Sequence, residues 1–311
     1  MSHIVIPDDE PAVMAPSAAF AKLAGYDVRT YADRPSSADE LVARIRDADV
    51  VINIRSTSTF TAEVLDQCPR LRLISIWGTG TDNVDLEAAQ ARGVRVTNTP
   101  GVSAVAVAEH TLALILSVAK QIVAVDRQVR LGKWPRAMVP QLRGKVLGLI
   151  GTGAIGREVA KLGRGIGMRV VAWTFHPAGD AAEWIEFDDV FRQSDVVSVH
   201  VRQSVDTAEM IRREHFEMMK PGAIFINTAR GPIVSEADLI AALQSNRIAG
   251  AGLDVFDREP LPLDSPLHSL PTVVLTPHAA GVTPETTEAG LALAIDNVFA
   301  FLAGRSVNIV V

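Results

Sequence analysis

Only one cysteine, Cys68, occurs among the 311 residues. It has no internal partner for a disulfide, and a zinc site built on several cysteines is excluded. An excess of basic charge is also missing: Lys and Arg number 30 against 36 Asp and Glu, a net charge of −6. That balance argues against a nucleic-acid partner. No long apolar run is free of charged or polar side chains. The most apolar stretch, Val102 to Val125, carries Glu109, His110, Lys120 and Gln121, so no membrane span is expected. Met1 to Ile6 run straight into Asp8, Asp9 and Glu10, without the charge order or apolar length of a signal peptide. The expectation is a cytoplasmic protein without membrane, nucleic-acid or metal partners. Its length fits about two domains of ~150 residues, each able to bury a core without a staple.

What is present is an alternation of strand and helix signals. Ile4–Ile6, Val28–Tyr31, Val50–Ile54, Leu71–Trp77 and Val94–Thr97 read as strands. Ser17–Leu23, Glu40–Ala48, Thr61–Gln67 and Leu86–Arg92 read as helices between them. Such alternation predicts a parallel sheet covered on both faces. One long Ala/Val/Leu-rich helix is predicted from Ser103 to Leu131, ending at Gly132. A second α/β series follows, with strands at 145–150, 169–173, 196–200, 223–227, 249–255 and 273–275. Helices are expected at 154–164 and 236–244, and in the tail at 284–303.

The strand Lys145–Ile150 enters Gly151-Thr-Gly153-Ala-Ile-Gly156, and a helix follows. In that context the glycines have separate uses. Gly151 permits the tight turn, Gly153 admits a pyrophosphate, and Gly156 lets the helix pack against the strand. The amides of Ala154 and Ile155 then face an anion at the positive helix end. The next strand should end in an acid that grips the ribose of NAD. It ends instead in Trp173-Thr174-Phe175-His176-Pro177. NADP sites lack the acid too, but usually supply an Arg, and here only His176 is near. The cofactor is NAD or NADP, with NAD the first expectation.

Three later segments place reactive side chains at or near strand ends: Asn227-Thr228-Ala229-Arg230-Gly231, Gly252-Leu-Asp254-Val-Phe-Asp-Arg-Glu259-Pro260 and Thr276-Pro-His278-Ala-Ala-Gly281. In open α/β sheets ligands lie beyond the carboxyl ends of the strands. Arg230 suits a bidentate grip on a carboxylate. His278 suits proton exchange near neutral pH, with an acid such as Glu259 to fix its tautomer.

With the glycine turn, these segments in this order resemble the D-isomer-specific 2-hydroxyacid dehydrogenase family over nearly the whole chain. Gly78-Thr79-Gly-Thr-Asp-Asn-Val-Asp85, Asn98-Thr-Pro100 and Val107-Ala-Glu-His110 fit the family as well. The resemblance implies an α/β fold of two Rossmann-like, doubly wound parallel sheets. Residues 1–99 plus 283–311 would form a flavodoxin-like substrate domain, and 100–282 the NAD(P)-binding domain. The active site would lie in the cleft, and the protein would be a homodimer. The activity implied is hydride transfer between NAD(P)H and a small 2-keto acid, giving a D-2-hydroxyacid. Glyoxylate, hydroxypyruvate and 3-phosphohydroxypyruvate are the substrates to test, and the scarcity of early cations favours an unphosphorylated one.

In that scheme His278 is the acid/base, Glu259 holds it and Arg230 orients the keto acid. Arg55, Ser56, Gly78 and Thr79 hold the substrate carboxylate. Asp254 fixes the nicotinamide carboxamide. Thr79, Val201, Thr228, Ala229, Arg230, His278 and Gly281 join Gly151, Gly153, Ala154, Ile155, Gly156, Thr174 and His176 around the cofactor. The chain departs from the family at Thr174 and in His200-Val-Arg-Gln-Ser, which lacks the usual proline. Glu259 separates it from the formate branch, which has Gln, and Trp77 from the phosphite branch, which has Lys. Trp77 either shapes the substrate pocket or packs in the core. The alternative function is an NAD(H)-sensing binding protein of the corepressor type, against which the intact Arg230, Glu259 and His278 argue.

Overall fold

The computed structural model describes residues 2–54, 57–136 and 138–311. The chain divides into two compact units, one formed by 1–103 with 282–311 and the other by 104–281.

In the first unit, β1 (His3–Ile6), β2 (Asp27–Thr30), β3 (Val50–Asn53), β4 (Leu73–Ile76) and β5 (Arg95–Thr97) form one sheet in the order β2-β1-β3-β4-β5. All pairs are parallel. This is the flavodoxin-like order, whose switch point lies between β1 and β3. Val-Val-Ile-Asn and Leu-Ile-Ser-Ile are buried at every position, as strands covered on both faces must be. The two-residue period divides them. Ile4, Ile6, Ile52 and Leu73 pack on Leu291, Ala294, Ile295 and Val298 of the C-terminal helix, Pro284–Leu302. Val5, Val51 and Ile74 pack on Leu41, Val42 and Ile45. The latter belong to α1 (Ala38–Ile45), which Ser37 caps by accepting from the Glu40 N–H. Helices α2 (Ala62–Asp66) and α3 (Leu86–Ala91) are capped likewise by Thr61 and Asp85. The predicted helix at Ser17–Leu23 is a 3-10 helix over Ala18–Leu23.

The second unit begins at Ala104. The single helix expected from 103 to 131 is two helices, α4 (Ala104–Ala119) and α5 (Ile122–Arg130), bent by 60°. Gln121 takes a left-handed backbone between them, at φ 54. Burial changes at the break: α4 has nine buried residues and α5 none. Core packing that guides α4 ends at Ala119. No single helix among the described residues is long and apolar enough to cross a membrane.

The sheet of this unit contains β6 (Val146–Ile150), β7 (Arg169–Trp173), β8 (Glu183–Trp184), β9 (Val196–Val199), β10 (Ile224–Asn227), β11 (Gly250–Leu253) and β12 (Val273–Leu275). Its order is β12-β11-β10-β9-β6-β7-β8, and every pair is parallel. Helix α6 (Ala154–Gly165) and α4 cover one face, through Val159, Ala160, Leu114 and Ile115 on Leu147 and Leu149. The other face buries Ile150, Val197, Val199 and Phe225 under Val190, Phe191 and Leu239. Both predicted doubly wound parallel sheets are present.

Candidate active site

The glycine turn follows β6 at the switch point between β6 and β9. Gly151 has φ +99, and a Cβ there would come within 2.7 Å of the His200 backbone. At Gly156 a Cβ would lie 2.2 Å from the Gly151 carbonyl oxygen. At Gly153, the N-cap of α6, nothing lies within 4 Å. The turn is thus closed on the protein side and open at Gly153. The N–H groups of Ala154, Ile155 and Gly156 begin α6 and have no intrahelical acceptor. Close approach of α6 to the strand therefore depends on Gly156, as expected, and also on Gly163, where a Cβ would meet Leu147 at 2.6 Å. Gly163 was not singled out from sequence. This cradle fits the pyrophosphate of a dinucleotide.

At the end of β7, Thr174 is half-buried and His176 exposed. The exposed Phe175 packs edge-on against Trp173, with centroids 4.8 Å apart. Val201 is buried just past β9. His200 pairs Nε2 with the Ser198 hydroxyl at 2.9 Å, and burial pushes its pKa down to about 3, so the ring is neutral at ordinary pH.

At the end of β10, Asn227 builds the turn that carries Arg230. Its amide donates to the Arg230 carbonyl at 2.9 Å, and its side-chain oxygen accepts from the Ala229 N–H at 3.0 Å. Gly231 lets this turn meet the next loop, since a Cβ there would overlap the Phe256 carbonyl at 1.9 Å. Both stand in the segment quoted from sequence, but neither was given a role there; that of Gly231 depends on a contact between separate loops.

At the end of β11, Asp254 is buried. Its Oδ1 accepts from the Thr276 hydroxyl at 2.6 Å and the Ala279 N–H at 3.0 Å, and its Oδ2 from the Ala280 N–H at 2.9 Å. The Asp254 carbonyl accepts from the His278 N–H at 2.7 Å. His278 itself has φ 52, a conformation that a side-chain-bearing residue adopts only when its surroundings impose it. Asp254 imposes it.

His278 Nδ1 lies 2.7 Å from Glu259 Oε2. A carboxylate only accepts, so Nδ1 carries the proton, and Nε2 takes no hydrogen bond among the described residues. The Phe256 N–H donates to Glu259 Oε1 at 3.1 Å. Burial alone would raise the Glu259 pKa. The His278 hydrogen bond and charge, the Phe256 N–H and the Arg230 guanidinium outweigh burial and hold it below 4.5. Arg230, Glu259 and His278 are therefore neighbours at the carboxyl ends of the strands.

In the first unit, Arg55 and Ser56 lie outside the described residues. The Gly78 N–H, expected to bind substrate, donates to Thr99 Oγ1 at 2.8 Å. The Thr79 carbonyl accepts from Asn98 at 2.8 Å, and the Thr79 N–H takes no acceptor among the described residues. Trp77 packs against the C-terminal helix, where a Cβ on Gly290 would lie 2.0 Å from its indole nitrogen. Its side chain joins the core of this unit.

Residues 112–280 match the model of the D-isomer specific 2-hydroxyacid dehydrogenase, NAD binding domain. A glyoxylate reductase of Korarchaeum cryptofilum is 38% identical over 284 residues, 88% of this chain and 85% of that protein. A D-3-phosphoglycerate dehydrogenase of Archaeoglobus fulgidus is 40% identical over 270 residues, 84% of this chain and 51% of the relative. An acyclic imino acid reductase solved with NADPH and D-Arg superposes with TM-score 0.92 at 29% identity, covering 99% of this chain and 100% of the other. The chain belongs to the D-isomer-specific 2-hydroxyacid dehydrogenase family and is a nicotinamide-dinucleotide-dependent oxidoreductase that reduces a 2-keto acid to a D-2-hydroxyacid.

Proposed function

We propose that the substrate is a small, unphosphorylated 2-keto acid of the glyoxylate or hydroxypyruvate type. The observation that carries the keto-acid reading is the hydrogen-bonded Glu259–His278 pair beside Arg230, and the scarcity of cations in the early loops supports an unphosphorylated substrate. His278 Nε2 gives its proton to the carbonyl oxygen, and takes it from the hydroxyl in the reverse direction. Glu259 keeps Nδ1 protonated and steadies the imidazolium. Arg230 orients the keto acid, with Arg55, Ser56 and the Thr79 N–H on its carboxylate. Gly78 supports that loop through Thr99. The glycine turn, with Val201, Thr228, Ala229 and Gly281, holds the dinucleotide. One lone-pair position on Asp254 Oδ2 remains for the nicotinamide carboxamide. When bound, the reduced nicotinamide supplies the hydride.

NADH is the proposed first cofactor, because no Arg or Lys follows β7 to hold a 2′-phosphate. NADPH is accepted less well rather than rejected, since the repelling acid is also missing at Thr174. Exposed Val105, Ile122, Val129, Leu131, Trp134 and Met138 fall in one stretch and fit a homodimer interface. Light scattering should give twice the chain mass. The single buried thiol suits the cytoplasm as the compartment.

The test is oxidation of NADH and NADPH, in parallel, by glyoxylate, hydroxypyruvate and 3-phosphohydroxypyruvate. Turnover with an unphosphorylated acid, faster with NADH, is expected. Preference for the phosphorylated acid would overturn the substrate reading. Tight cofactor binding without turnover on any of them would favour the sensing role instead.

A further inference from the structure

We propose that His110 and Thr111, consecutive residues of α4, are positioning residues that set the registry of the His278 and Arg230 loops. This rests on the roles proposed above for His278 and Arg230.

His110 Nε2 lies 2.9 Å from Thr276 Oγ1 and 3.6 Å from Asp254 Oδ1. The Thr276 hydroxyl proton is committed to Asp254 Oδ1, 2.6 Å away. Thr276 Oγ1 must therefore accept from His110 Nε2–H. The bonds run in one direction, from His110 to Thr276 to Asp254, and Asp254 holds His278 at its positive φ. Thr111 works on the other loop. Its hydroxyl donates to the Val107 carbonyl at 2.7 Å, so Thr228, at 2.9 Å, must donate to Thr111 Oγ1. Thr228 stands two residues before Arg230.

The glycines of β11 make this reach possible. A Cβ on Gly252 would come 2.9 Å from Leu114 Cβ, and one on Gly250 3.0 Å from Val118. Helix α4 therefore lies directly on β11, whose carboxyl end leads into Asp254. One rigid helix touches both reacting loops, so the separation of proton donor and substrate cation is fixed by two neighbouring side chains.

The experiment compares His110→Ala, His110→Gln, Thr276→Val and the His110→Ala/Thr276→Val double variant. Readouts are kcat and KM for glyoxylate, NADH affinity by fluorescence, and thermal melting. His110→Ala should lower kcat about tenfold, the scale of one lost positioning bond, with NADH affinity held within about twofold. His110→Gln, which keeps an N–H donor, should recover most of the loss. The double variant should lose no more than Thr276→Val alone. Wild-type kcat in His110→Ala or Thr276→Val, or losses that multiply in the double variant, would overturn the proposal. Should His110→Ala not fold, reduced kcat in Thr276→Val with near-normal kcat in His110→Gln supports it. A His278→Gln variant run alongside separates the two readings. If that variant still turns over, the site assignment fails. If it is inactive while His110→Ala is unimpaired, only the role of α4 fails.

Discussion

Nδ1 of His278 stands 2.7 Å from Oε2 of Glu259, and the Asp254 carbonyl holds the His278 N–H at 2.7 Å. Side chain and backbone of His278 are thus fixed from two directions, and Nε2 takes no hydrogen bond among the described residues.

Replacing Glu259 by Gln keeps the shape and removes the charge. We predict a fall in kcat of at least about tenfold, because the imidazolium loses its counter-charge. The pH dependence of stability has a definite sign. The Glu259 pKa is lower in the folded chain than its usual 4.5. Its contribution is complete above about 4.5 and is lost as pH falls through the folded value. Urea melts should show the gap between wild type and Glu259→Gln closing on acidification. A gap that widened would refute this.

Arg230→Lys should raise KM for the keto acid and lower kcat together, by roughly tenfold or more in kcat/KM, since the planar two-point grip is lost. Steady-state kinetics with a separate NADH titration checks this. Weakened NADH binding with unchanged keto-acid kinetics would contradict the assigned role.

The two outer glycines of the turn should behave differently from the middle one. Gly156→Ala forces a Cβ against the Gly151 carbonyl at 2.2 Å and should cost about 1–3 kcal/mol of stability. Gly153→Ala meets nothing within 4 Å. It should melt like wild type yet bind NADH at least about tenfold more weakly, because the added methyl occupies the pyrophosphate's approach. Melting curves and cofactor titrations of both variants decide it.

Burial pushes the Cys68 thiol up to about 11, despite a small opposing effect of Arg46. Native protein at pH 8 should therefore resist iodoacetamide and label fully only when unfolded. Rapid labelling of the native chain would show that the packing of α1 and α2 around Cys68 is misplaced.

Much of this fold is legible in the sequence because it is local. Apolar runs such as Val50–Asn53 and the glycine turn at 151–156 announce themselves by spacing. So do the strand-end residues Arg230 and His278. What is not legible depends on contacts distant in the chain. The break at Gln121 follows from where the core ends. The engagement of the Gly78 N–H by Thr99, the closeness of Gly231 to Phe256 and the loop-holding role of Asp254 each join separate segments. No local pattern of residues reports such pairings.

Whether His278 supplies the proton as the keto acid is reduced is decided by glyoxylate-dependent NADH oxidation, measured for His278→Gln beside wild type. The kcat should fall about 100-fold or more, with NADH affinity preserved and the variant still folded. Turnover at the wild-type rate in the folded variant would contradict it.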